Sequence, residues 1–171
     1  MRIFILALMF LTSLSINAKE ISGEMPDFTL QSNQGSNVRL NELRGEVIML
    51  NFWATWCGPC RQEMPEMEKL YSKYKKAGFT VLAVNVEDSS NNKTKNEIEK
   101  FINDNQLSYP ILFDNQKQVV TTLEDQFLRK NMAMPTTVFI DRNGNTRFLH
   151  EGYKAGDEAT HKKYIKKLIR E

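Results

Sequence analysis

Phe52-Trp53-Ala54-Thr55-Trp56-Cys57-Gly58-Pro59-Cys60-Arg61 joins an apolar run, Val47-Ile48-Met49-Leu50, to a helical pattern and holds both of the protein's cysteines. With no third thiol to pair with, Cys57 and Cys60 either exchange with a substrate disulfide or share a metal. A two-residue gap closes too small a loop to stabilise a fold much. Small secreted proteins that depend on disulfides use several scattered ones rather than a single close pair. A catalytic pair is the better reading.

On the N-terminal side, Glu46 to Phe52 is an apolar run apart from Glu46 and Asn51, as expected of a central strand covered on both faces. On the C-terminal side, Met64, Met67, Leu70, Tyr71 and Tyr74 recur at helical spacing, giving a long amphipathic helix that ends near Gly78. Pro65 interrupts that pattern and is expected to kink the helix, because it lacks a donor for the preceding turn.

Further out, Pro26 to Leu30 alternates and reads as a strand, with Val38 to Leu40 as the returning arm of a hairpin. Asn41 is placed to cap a one-turn helix that stops at Gly45. Phe79 to Val86 is a second buried strand, and Ser89 to Lys95 reads as an exposed loop. A helix marked by Ile98, Phe101 and Ile102 follows, then a strand over Tyr109 to Phe113 and a short helix over Val119 to Phe127. Thr136 to Ile140 and Thr146 to His150 form a hairpin around Asp141-Arg142-Asn143-Gly144. The last helix starts near Asp157, with Tyr164, Ile165, Leu168 and Ile169 on its apolar face and its lysines on a solvated one. Strands alternating with helices predict an α/β sandwich with a central mixed sheet.

The first residues read as a separate segment. Met1-Arg2 is a short positive start, Ile3 to Leu14 is mostly apolar, and Ser15-Ile16-Asn17-Ala18 ends on a small residue. That is the pattern of a signal peptide over residues 1–18, cleaved after Ala18. The alternative is an uncleaved membrane tether, although the apolar run is short against the roughly 20 residues of a spanning helix. No cysteine follows the leader, which excludes a lipoprotein anchor. Residues 19–171 then make one domain, expected in the periplasm or secreted. Removing Arg2 takes Lys+Arg from 23 to 22 against 21 acidic residues, a near-neutral balance that gives no reason to expect nucleic acid as a partner. A monomer is expected.

A thiolate, not a thiol, attacks a disulfide, so the working cysteine must be partly ionised near neutral pH. Cys57 falls at the strand–helix junction, where free backbone N–H groups and the helix dipole favour negative charge. Pro59 suits the first helical turn because its missing N–H has no partner there. Cys60 lies one turn in. This assigns Cys57 as the nucleophile and Cys60 as the thiol that resolves the mixed disulfide, with Trp53 and Trp56 as candidates to shield the pair.

Trp56-Cys57-Gly58-Pro59-Cys60 after Asn51-Phe52-Trp53-Ala54, together with Asp27-Phe28-Thr29-Leu30, Leu43-Arg44-Gly45 and Met134-Pro135-Thr136-Thr137-Val138-Phe139-Ile140-Asp141, resembles the TlpA/ResA-like extracytoplasmic branch of the thioredoxin superfamily. The resemblance implies a thioredoxin-like three-layer sandwich with an N-terminal β-hairpin extension. It also implies a redox-active Cys57–Cys60 disulfide and no bound cofactor or metal. Pro135 falls where the family has a cis-proline opposite the cysteines, so Met134, Pro135 and Thr136, with Trp56, Gly58 and Pro59, are the implied substrate contacts.

Where thioredoxin has a buried aspartate, this chain has Asn51, which cannot titrate. Glu63, three residues after Cys60 on the same side of the helix, is the candidate replacement, against the alternative of a glutamate that only satisfies the helix dipole. Asp88 matches a family acidic position by type.

Gly58-Pro59 is the thioredoxin dipeptide. Known oxidoreductases of this fold span about 150 mV, or roughly 7 kcal/mol, with thioredoxin at the reducing end. The implied activity is reduction of an extracytoplasmic protein disulfide such as an apocytochrome c thiol pair, with a membrane thiol donor. Two alternatives belong to other classes. A thiol peroxidase needs a hydroxyl residue three before its cysteine, where this chain has Ala54. A copper-delivery module needs more ligands than two thiolates and His150 or His161 supply, and both histidines are expected to be exposed.

Overall fold

A computed structural model describes residues 19–127 and 132–171; the expected leader and its cleavage point lie outside them. Strand β4 (Val47–Trp53) is the spine of the molecule, buried at every position. It is paired in parallel with β5 (Phe79–Asn85) and antiparallel with β7 (Thr136–Ile140). With both faces buried as well as both edges paired, its sequence is apolar apart from Asn51 rather than alternating.

The sheet has eight strands in the order β1-β8-β7-β4-β5-β6-β2-β3. The outer members are β1 (Lys19–Glu20), β2 (Thr29–Ser32), β3 (Asn37–Arg39), β6 (Ile111–Phe113) and β8 (Thr146–Glu151). The β2–β3 hairpin extends the sheet by pairing antiparallel with β6. Among the described residues four α-helices accompany it: α1 (Gly58–Tyr74), α2 (Asn92–Asp104), α3 (Gln118–Gln126) and α4 (Asp157–Arg170). The result is the mixed-sheet, thioredoxin-like sandwich expected from the sequence. None of the described helices is long and apolar enough to cross a membrane.

Several boundaries differ for identifiable reasons. The first hairpin strand begins at Thr29, not Pro26, and its turn is drawn tight by Ser32 N–H donating to Ser36 O at 2.8 Å. Asn41 does not cap the short helix Leu40–Leu43; its own N–H donates to Asp27 Oδ1 at 3.0 Å, and Asp27 Oδ2 holds Arg39 at 2.7 Å. The segment expected to be a loop up to Lys95 turns helical at Asn92, because the Asn91 side chain accepts from Lys93 N–H at 2.8 Å and starts α2. Pro65 lies within α1, which continues past it to Tyr74 and ends beyond a short 3₁₀ turn at Gly78, in the left-handed region at φ 77°.

β4 delivers the chain into α1 at the end of the sheet where β7 begins, since Phe52 is paired with Thr136. The segment Met134-Pro135 therefore enters the sheet beside the segment that carries Cys57.

Candidate active site

Cys57 and Cys60 form a disulfide. Cys57 is the N-cap of α1: its backbone is extended, and its sulfur accepts the Cys60 N–H at 3.2 Å. In the reduced protein the same donor and the free end of the helix favour a thiolate at Cys57. The two sulfur residues are not equally accessible. Cys60 is completely buried, while Cys57 retains 4% of its surface and is flanked by the exposed Gly58 and Pro59.

Trp56 is the one large apolar side chain exposed among the described residues, at 69%. It borders a cleft of about 330 Å³ with Thr55, Arg61 and Phe101. Trp53, weighed as a possible shield, is instead core: its ring packs on Phe101 at 5.4 Å, and Arg61 covers the same Phe101 ring at 5.3 Å.

The peptide bond between Met134 and Pro135 is cis. Pro135 is buried and its carbonyl accepts Gly152 N–H at 2.7 Å, whereas Met134 is half-buried and Ala133 exposed. Thr136 is buried, and its hydroxyl donates back to Ala133 O at 2.6 Å.

Glu63 is the chemically unusual residue. It points into the core with no exposed surface, contrary to a helix-dipole glutamate in solvent. Asn51 Nδ2 donates to its Oε2 at 2.8 Å and Thr137 Oγ1 to its Oε1 at 3.2 Å. Burial pushes its pKa up to about 8, against the opposing effect of those two hydrogen bonds. A carboxyl that is mostly protonated at neutral pH, one helical turn beyond Cys60, can exchange a proton with that thiol.

Two readings from the sequence are corrected. His161 is not an exposed polar residue: it is buried at 1%, with Nδ1 3.7 Å from Glu63 Oε1. His150 is also largely covered and sits 3.2 Å from Asp157. The spacing held the signal, because His161 precedes Tyr164, Ile165 and Leu168 by three, four and seven residues, on the buried face of α4.

Asp88 is the wrong acid. It is exposed and turned onto Ser90, whereas its neighbour Glu87 reaches the site. Glu87 accepts from Thr55 N–H at 2.6 Å and Thr55 Oγ1 at 2.9 Å, and from Asn85 Nδ2 at 3.1 Å. It thereby ties the end of β5 to the loop that presents Cys57. Thr137 also belongs to the site, with no signal in the sequence; the pairing of Asn51 with Thr137 across β4 and β7 brings it to Glu63.

A thioredoxin-like sheet with a disulfide capping the helix after its central strand, a cis-proline strand beside it and a buried carboxyl behind it defines a thiol–disulfide oxidoreductase. The chain belongs to the AhpC/TSA family, which it matches over residues 21–149. It is 40% identical over 136 residues to the thiol-disulfide oxidoreductase ResA of Geobacillus kaustophilus, covering 79% of this chain and 71% of that one. The ResA of Geobacillus thermodenitrificans is 38% identical over 135 residues, with the same coverage. Among solved structures, a protein described as a thiol:disulfide interchange protein DsbE from Chlorobium tepidum superposes with a TM-score of 0.74 at 32% identity, over 86% of this chain and 96% of that one.

Proposed function

We propose that this protein is an extracytoplasmic disulfide reductase in which Cys57 attacks, Cys60 resolves and Glu63 handles the proton of Cys60. The Cys57 thiolate displaces one sulfur of a substrate disulfide, which leaves as a thiolate, and forms a mixed disulfide with the other. Cys60 gives its proton to ionised Glu63 and attacks Cys57, closing the Cys57–Cys60 disulfide and releasing the second substrate thiolate. Two electrons pass to the substrate, and a membrane thiol donor returns them to the pair.

The observation that carries this reading is the buried Glu63 behind the cysteine pair: Cys57 keeps 4% of its surface at the helix end beside exposed Gly58 and Pro59, and fully buried Cys60 has a carboxyl rather than water to exchange its proton with. The reducing direction is supported by the Gly58-Pro59 dipeptide, the pair found in thioredoxin. Cis-Pro135 and Met134 with exposed Trp56 offer an extended polypeptide a backbone edge and an apolar contact. A disulfide-bonded Cys-x-x-Cys segment such as that of an apocytochrome c fits this opening.

The redox potential of the pair in a glutathione buffer tests the direction. A value near thioredoxin's, about −270 mV, is expected; one near about −120 mV overturns the reductase reading.

A further inference from the structure

Glu63 has no exposed surface, and neither has Cys60. A carboxyl that takes the Cys60 proton in each turnover must lose it again before the next. Side chains of α4 and β8 continue from Glu63 toward the surface. His161 Nδ1 is 3.7 Å from Glu63 Oε1, and its Nε2 is buried without a hydrogen-bond partner. The His150 ring stands edge-on to the His161 ring, with centroids 4.9 Å apart. His150 Nε2 lies 3.2 Å from Asp157 Oδ2, and these two side chains are about one-tenth exposed.

We propose that His161 is the proton outlet of Glu63, with His150 and Asp157 as its surface end; this rests on the reading of Glu63 as proton acceptor. Glu63 gives its carboxyl proton to Nδ1 while Nε2–H gives up its own toward His150. The products are a carboxylate, the other neutral imidazole tautomer and one proton at the rim. The reverse transfer reloads the acid.

Keeping the ring neutral matters here. Burial, reinforced by the neighbouring His150, pushes the His161 pKa down to about 3, so an imidazolium intermediate would hold about one molecule in ten thousand at pH 7. The groups facing the ring are Glu63 from α1, His150 from β8, Tyr153 from the following connection, and Asp157 and Glu158 from α4. The last two favour a positive charge and His150 opposes it, too little to offset burial. Thr137 Oγ1 donates to the same Oε1 at 3.2 Å, so that bond competes with transfer to Nδ1.

A pH jump across 8 on the reduced full chain, followed by the carboxyl infrared band that Glu63→Gln removes, reads the outlet directly. His161→Phe is expected to slow loss of the band by about tenfold or more. His161→Ala is expected to be slow too, and to be restored by added imidazole but not by thiophene. A parent-like rate in His161→Phe, or equal rescue by both compounds, overturns the outlet. If the core variants do not fold, His150→Phe at the rim carries the same test, with slowing expected and a parent-like rate overturning it. The pH profile of Cys60 attack in Glu63→Gln separates the two readings: an unchanged profile overturns the role of Glu63 itself, whatever the jump shows.

Discussion

Asn51 Nδ2 donates to Glu63 Oε2 at 2.8 Å, from β4 to α1, with both side chains fully buried. The position that carries a titrating acid in thioredoxin is thus filled here by a neutral donor, and the acid has moved onto the helix that bears the cysteines. The exchange has a physical consequence. Asn51 has a fixed charge state, so the ionisation of the site is set by one carboxyl and by the donors aimed at it. Because the Asn51 amide also donates to Thr137 Oγ1 at 2.8 Å, the three side chains form one unit spanning β4, β7 and α1.

The first consequence is for stability. Glu63 has its folded pKa raised from 4.5 to about 8. Below 4.5 it is protonated in both folded and unfolded chains and costs nothing by this route. Between 4.5 and about 8 the unfolded chain releases the proton while the folded one keeps it. Stability then falls as pH rises, by about 1.4 kcal/mol per unit, and levels off above 8. Glu63→Gln removes that slope. The variant is expected to be the more stable protein at pH 8, by a few kcal/mol, with the difference shrinking toward pH 4.5. The amide fits because Asn51 Oδ1 has no partner and can turn to accept from it. Urea unfolding of the oxidised protein at several pH values checks this; parallel pH dependences would show that Glu63 is not held protonated.

Thr137→Val tests the tuning of the same carboxyl without emptying space. It removes the Oγ1 donor at 3.2 Å, one of the two bonds that favour the ionised form. The pH at which Cys60 attack becomes fast is expected to rise by about half to one unit. Single-turnover kinetics of mixed-disulfide resolution, measured from pH 6 to 10, would reveal the shift; a downward shift contradicts the assigned donor role.

The architecture was readable because it rests on long periodic segments. β4, β5 and α1 each carry enough apolar residues in one pattern to declare themselves, and Gly58-Pro59 marks the strand–helix junction within them. The pairing that makes the site was harder to see. Thr137 and Asn51 are 86 positions apart, and only the antiparallel register of β7 on β4 brings them together. His161 is hard to see for a different reason: histidine as a residue type is usually outside, although its spacing puts it on the apolar stripe of α4. Glu87 and Asp88 are adjacent in sequence, and which of two neighbouring acids turns inward depends on the end of β5, where Asn85 Oδ1 accepts Glu87 N–H at 3.0 Å.

Glu87 supplies the next prediction. Its carboxylate holds Thr55 at both the backbone and the hydroxyl, two residues before Cys57. Glu87→Ala leaves those donors and Asn85 Nδ2 without their acceptor. A loss of about 1–3 kcal/mol in stability is expected, with slower attack by Cys57 because its loop is no longer fixed. Glu87→Gln keeps an acceptor and should recover most of both. Denaturation midpoints and the rate of alkylation of the reduced protein measure the two effects, and an alkylation rate unchanged in Glu87→Ala contradicts the positioning role.

The division of labour between the cysteines is testable by trapping. Cys57 keeps a little exposed surface at the helix end and its sulfur accepts the Cys60 N–H, while Cys60 has no exposed surface. On the proposed reading a substrate sulfur meets the first. Cys60→Ser leaves that nucleophile intact and removes the group that resolves it, so a covalent complex with a disulfide-bonded Cys-x-x-Cys peptide is expected to accumulate. Cys57→Ser leaves a buried thiol and should yield little complex. Mass spectrometry after quenching at low pH counts the adducts, since thiolate exchange stops there. Equal adduct from both variants would mean that the helix opens far enough to expose Cys60, and the assignment of a single attacking sulfur would fail.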